Sequence, residues 1–132
     1  MWSWTSSRNA RPDMAWLFLD THENGRVRYA WLDEAGNALK EVEKEGRASI
    51  LMPLVAKDLA KFKITGVAVV RGPGSFSAVR GGVLDANLIA RLLRVPLVGL
   101  SVGESFDPRH VSEYVAPVYD AEPNITLPKV RA

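Results

Sequence analysis

The stretch Val69–Gly82, VVRGPGSFSAVRGG, decides how this chain is read. A β-branched run enters it, four glycines and a proline fill it, and a helix-favouring sequence leaves it. A central strand over Gly66–Val70, a tight loop and a helix over about Ser77–Leu93 satisfy that pattern. Such a junction aims backbone N–H groups and a helix N-terminus into one space, which suits an anion. The loop is nevertheless neither GxxxxGK[ST] nor GxGxxG, because no lysine follows and the glycine spacing differs. Two readings stand side by side. One is an anion or nucleotide contact made by Gly72, Gly74, Ser75 and Ser77 with Asp20; the other is a plain connection in which Ser75 or Ser77 caps the helix.

Outward from the loop, Ala15–Asp20 (AWLFLD) is a short apolar run suited to a strand covered on both faces. The turn residues THENG lead into Arg26–Leu32 (RVRYAWL), which alternates like a strand, and DEAGN leads into a third strand over Ala38–Glu43. Leu51, Leu54, Val55, Leu59 and Phe62 fall at helical spacing, which predicts a helix over about Ile50–Phe62. Val95–Leu100 (VPLVGL) supplies a fifth strand. The order β-β-β-α-β-α-β, a meander followed by right-handed crossovers, resembles the α/β ribonuclease H-like lobe that actin-like ATPases (the ASKHA class) repeat. A five-stranded mixed sheet is expected. Residues 1–13 read as a tail, 14–105 as the lobe and 106–132, with its prolines, as an extended segment. Met14 is an alternative start to Met1.

Composition narrows the chemistry. At 132 residues, 47% hydrophobic and 24% charged, the chain has the make-up of one globular domain. Seventeen basic residues against 15 acidic are dispersed along it, which argues against tight autonomous binding of nucleic acid. Cysteine is absent, in keeping with a cytoplasmic protein, and no apolar run reaches bilayer-spanning length. The histidines, His22 and His110, have no ligand at metal spacing, and neither Ser75 nor Ser77 stands in GxSxG, so no catalytic or metal residue is assigned. Asp20 ends the first strand, where actin-like ATPases hold metal and phosphate, but the THENG turn lacks the small residues a phosphate needs. Capping of that turn is the competing role.

The helix after the glycine loop carries more apolar surface than one sheet face needs. Val79, Val83, Ala86, Ala90 and Leu93 form one stripe, and Leu84, Leu88, Ile89 and Leu92 occupy much of the remaining circumference. Gly81, Gly82 and Ala86 would let another helix approach closely. A helix that is apolar most of the way round is buried on more than one side. The expected partner interface is therefore Leu51, Leu54, Val55, Val79, Gly82, Val83, Ala86 and Ala90, and a charge at Val83 or Ala86 is expected to block association without unfolding the chain. The alternative is that the C-terminal segment covers the surplus.

These residues together resemble the TsaB (YeaZ) family, inactive paralogues of TsaD and glycoprotease-like proteins. GPGSFSAVRGG (Gly72–Gly82) is similar to the family's GPGSFTGLRIG, and VPLVGLSVGES (Val95–Ser105) to its IPLVGVSSL. ILMPLVAKDL, AWLFLDTHENG and APVYDAEPNITLPK are similar, in order, to its first helix, opening strand and closing segment. The family's second lobe is reduced to about a dozen residues, Val102–Glu113. Ser77, Ala78, Asn87 and Ala121 stand where the family has Thr, Gly, Lys and Arg. The resemblance implies a non-catalytic subunit in the formation of N6-threonylcarbamoyladenosine in tRNA. It implies helix–helix packing on a TsaD-like transferase, a TsaE-like ATPase in the same assembly and tRNA met only through the complex. ATP or ADP would sit, if anywhere, at the joint surface with TsaD, since the chain has no cofactor of its own. A small nucleotide-binding phosphotransfer protein and a homodimer built on the same helices are the alternatives.

Overall fold

The computed structural model describes residues 13–119. Three antiparallel strands open the chain: β1 (Asp13–Asp20), β2 (Arg26–Leu32) and β3 (Ala38–Glu45). A 3₁₀ turn at Ala48–Ile50 runs into a short helix α1 (Leu51–Ala56), followed by β4 (Phe62–Gly72), helix α2 (Phe76–Leu93), β5 (Leu97–Ser101) and β6 (Val111–Ser112). The strands form one six-stranded sheet in the order β3-β2-β1-β4-β5-β6. β4 lies parallel to both β1 and β5, so each is joined to it by a crossover, as the strand–helix alternation predicts.

The centre of the sheet is covered on both faces, which is why β1 and β4 read as apolar runs. On one face Leu17, Leu19, Trp31, Val67 and Val69 pack beneath α1 and α2 through Leu51, Val55, Val79, Val83 and Ala86. On the other, Trp16, Ala68, Val98 and Leu100 form a second cluster with Phe18 and Phe106, and the Phe106 ring meets Trp16 edge-on at 5.0 Å. Gly66 is required by that second cluster, because a Cβ there would stand 2.6 Å from the Trp16 indole.

The sheet has six strands, not five. β6 pairs antiparallel with the outer edge of β5, at Leu97↔Ser112 and Val98↔Val111. Two residues are too few to carry a period, so the pairing is invisible in sequence, yet it satisfies backbone groups that an open edge would leave bare. The first helix also differs from the expectation over Ile50–Phe62. It ends at Ala56, and Lys57, Asp58 and Leu59 continue as tighter turns bonded to Leu54, Val55 and Ala56. The reason lies in Asp58, whose carboxylate turns inward to accept from Tyr29 Oη (2.9 Å), Trp31 Nε1 (3.0 Å) and Lys40 Nζ (2.6 Å). Phe62 then opens β4 and stacks on Trp31 with ring centroids 4.9 Å apart. Helical spacing of Leu59 and Phe62 was compatible with both arrangements.

Candidate functional site

The C-terminal end of β1 and the start of α2 meet. Asp20 is 4% exposed, and both its carboxylate oxygens are engaged by the chain itself. Oδ1 accepts from the His22 backbone N–H (3.0 Å) and lies 2.6 Å from His22 Nδ1; Oδ2 accepts from Arg28 Nη2 (2.9 Å). Thr21, fully buried, donates its hydroxyl to the Ala78 carbonyl in the first turn of α2 at 2.6 Å. Asp20 therefore fixes the β1–β2 turn, the role a short polar side chain fills at a strand end.

The glycine loop is likewise filled from within. Gly72 has φ +118° and lies beneath the Val118 carbonyl, leaving no room for a Cβ. A Cβ on Gly74 would come within 2.6 Å of both the His22 carbonyl oxygen and Val79. The segment 113–119 runs over the loop as a strap. Val118 N–H donates to the Arg71 carbonyl at 2.6 Å, Tyr119 bridges to Gly74, and the Phe76 and Tyr119 rings sit 4.8 Å apart. Asn87 holds the same strap from α2, donating Nδ2–H to the Val115 carbonyl (2.9 Å) and accepting the Val115 N–H at Oδ1 (3.0 Å). Val115 is thereby pressed into the core over Gly99. Ser75 occupies the N-cap position with extended backbone but makes no capping bond, and its Oγ is buried without a partner. Ser77 instead lines a pocket of about 330 Å³ with Thr21, Asn24, Arg26 and Arg47. Of the residues expected as an anion contact, Asp20, Gly72 and Gly74 are thus committed to the chain's own packing, Ser75 has its Oγ buried, and Ser77 faces open space. No group of three or more His, Cys, Asp or Glu side chains is placed to hold a metal among the described residues.

The decisive geometry is on α2. Val79, Gly82, Val83, Ala86 and Ala90, expected to meet a partner, lie against the chain's own sheet, with Val83 2% and Ala86 0% exposed. Leu51 and Val55 are buried with them, and Leu54 packs partly buried at the edge of the same core. The small residues serve that intrachain fit: a Cβ on Gly82 would collide with Thr21, and one on Gly81 would stand 2.5 Å from Ala48 Cβ in the 3₁₀ turn. The residues expected at a partner interface are therefore taken up by the chain's own core, Leu54 in part. The apolar surface left open is the opposite stripe, Leu84 (56% exposed), Leu88 (57%) and Leu92 (70%), spaced four residues apart. Sequence carried that stripe but not which of the two apolar faces the sheet takes.

Beside the open stripe stands Asp85, half-buried, without a Lys, Arg or His at ion-pair distance among the described residues. Burial pushes its carboxyl above the ordinary carboxylate value. The Asp58 carboxyl behaves oppositely: burial would raise it, but the hydrogen bonds from Lys40, Trp31 and Tyr29 outweigh burial and hold it below its ordinary value. Neither aspartate was singled out by motif, since each lies in an ordinary amphipathic pattern.

This arrangement can be set beside known proteins. The TsaD family model, described as tRNA N6-adenosine threonylcarbamoyltransferase, matches residues 41–113, which span β3 to β6 and include the glycine loop and α2. The chain belongs to this family. Within it, the chain is TsaB/YeaZ-like: it is 33% identical over 66 residues to the tRNA threonylcarbamoyladenosine biosynthesis protein TsaB of Bacillus subtilis (strain 168), covering 48% of the chain and 29% of that protein. Among solved structures it is similar to YeaZ from Pseudomonas aeruginosa, with a TM-score of 0.57 and 29% identity over 67% of this chain and 44% of that one. A second Pseudomonas aeruginosa structure, titled as similar to peptidase YeaZ, matches equally, at TM-score 0.57 and 43% of its length. The TsaB/YeaZ likeness agrees with the ribonuclease H-like, actin-like lobe expected from element order. In each case the match spans less than half the relative's length.

Proposed function

We propose that this chain acts in forming threonylcarbamoyladenosine in tRNA as an accessory subunit without catalytic chemistry, docking on a TsaD-like transferase through the outer face of α2. The observation that carries the reading is the open Leu84–Leu88–Leu92 stripe on a TsaB/YeaZ-like lobe. Three leucines held half or more exposed on one face of a well-packed helix are the surface signature of a helix–helix contact. The engagement of Asp20 and the filling of the glycine loop favour an accessory role over phosphotransfer by this chain alone. A TsaE-like ATPase completes the assembly in this reading, with tRNA reached through the complex and any ATP or ADP at the joint surface.

The test is reconstitution. The purified chain is combined with its cognate TsaD-like and TsaE-like proteins, tRNA and the threonylcarbamoyl donor, and modified adenosine is measured. Modification that requires this chain, and falls with Leu88→Asp, is the expected result. Full modification in its absence sinks the reading. Light scattering on the chain alone separates this role from a homodimer on the same face.

A further inference from the structure

The open face of α2 carries a charge that its leucines do not explain. Asp85 follows Leu84 and precedes Leu88 by three residues, so it lines one edge of the stripe, one turn beyond Gly81 and its contact with the 3₁₀ turn. It is half-buried before any partner arrives, and no cation of the described residues reaches it. Arg80 and Arg91, both exposed, fall on the opposite edge of the same stripe at helical spacing. The face is therefore polarised across its width, with acid on one side of the leucines and base on the other.

A neighbour seated on the leucines would remove more water from Asp85. An unpaired carboxylate buried in that way opposes association, whereas a facing ammonium or guanidinium converts it into a determinant of specificity. Resting on the docking reading above, we propose that the helix received by this face presents a lysine or arginine opposite Asp85, and that Asp85 thereby selects the TsaD-like partner and sets its orientation. The half-buried state of Asp85 also displaces its protonation upward, in keeping with a carboxyl that meets no counter-ion among the described residues.

The test measures affinity of the full chain for its cognate TsaD-like subunit by calorimetry at two salt concentrations, for wild type, Asp85→Asn, Asp85→Lys and Leu88→Asp. Melting of each isolated variant is followed in parallel. Asp85→Asn is expected to melt at or above the wild-type temperature, since a poorly solvated charge is removed. It is expected to weaken association by about tenfold or more, with Asp85→Lys weaker still and the salt dependence reduced in Asp85→Asn. If Leu88→Asp abolishes binding while Asp85→Asn binds as tightly as wild type or tighter, the charge pairing is wrong and the docking face stands. If Leu88→Asp binds normally, or wild type does not bind the TsaD-like subunit, the docking reading falls and the pairing with it. If wild type instead self-associates through this face, and Leu88→Asp makes it monomeric, a second copy is the occupant and the proposal is overturned.

Discussion

Aspartate placed at Val83 and, separately, at Leu88 distinguishes the two faces of α2 by stability alone. Val83 is 2% exposed and packs in the helix-side core with Leu17, Val69 and Val79. Val83→Asp forfeits the burial of a valine side chain, about 1.5–3 kcal/mol. It also forces a carboxylate into an apolar core, at a cost of several kcal/mol even after the group protonates or the helix shifts. Together these reach about 4 kcal/mol or more, a large part of the roughly 5–15 kcal/mol that holds a domain folded. Leu88 is 57% exposed, and its replacement should change stability by no more than about 0.5 kcal/mol. Urea unfolding followed by tryptophan fluorescence reads both, because Trp16 and Trp31 are buried on opposite faces of the sheet. Val83→Asp should be unfolded or have a sharply lowered midpoint, while Leu88→Asp keeps the wild-type midpoint. A Val83→Asp chain that unfolds at the wild-type urea concentration would show that α2 does not lie on the sheet by this face.

Two further outcomes follow from the core and the helix end. Asp58→Ala leaves Trp31 Nε1 without its acceptor and Tyr29 with only the Leu54 carbonyl at 3.2 Å, so a loss of about 2–4 kcal/mol is expected in urea titration. Because the Asp58 carboxyl is held below its ordinary 3.8, its contribution is present above that pH and is lost as pH falls through the lowered value. The Tyr29 phenol is pushed from 10.0 up to about 12, first by burial and then by its bond to Asp58, so its contribution is complete below pH 10 and declines between 10 and 12. An alkaline decline of the same size in Asp58→Ala would refute the coupling. Arg94 closes α2 in the left-handed conformation (φ 57°, ψ 45°), which suits glycine. Arg94→Gly should raise stability by about 0.5–1 kcal/mol, read as a melting temperature a few degrees higher, and an unchanged or lower melting temperature would show that Arg94 is held by something other than its backbone.

The sequence by itself determined the lobe. Apolar runs at Ala15–Leu19 and Val67–Val70, the alternation of Arg26–Leu32 and the GPGSF junction leave few alternatives to a meander followed by parallel crossovers, because burial on one or two faces sets the residue pattern directly. The apolar excess of α2 was equally legible. Tertiary structure alone decided which side of α2 the sheet takes, for Val83 and Leu88 are both apolar and periodicity ranks neither. Close approach made that choice at Gly82, which admits Thr21, so the face of Val79, Val83 and Ala86 goes inward and the leucines stay out. The same holds for the strap at 113–119, seated by Asn87 and Gly72, and for β6, a two-residue pairing with no period of its own. Long-range contacts of this kind depend on where backbones cross in space, and neighbouring residues in the chain carry no record of that.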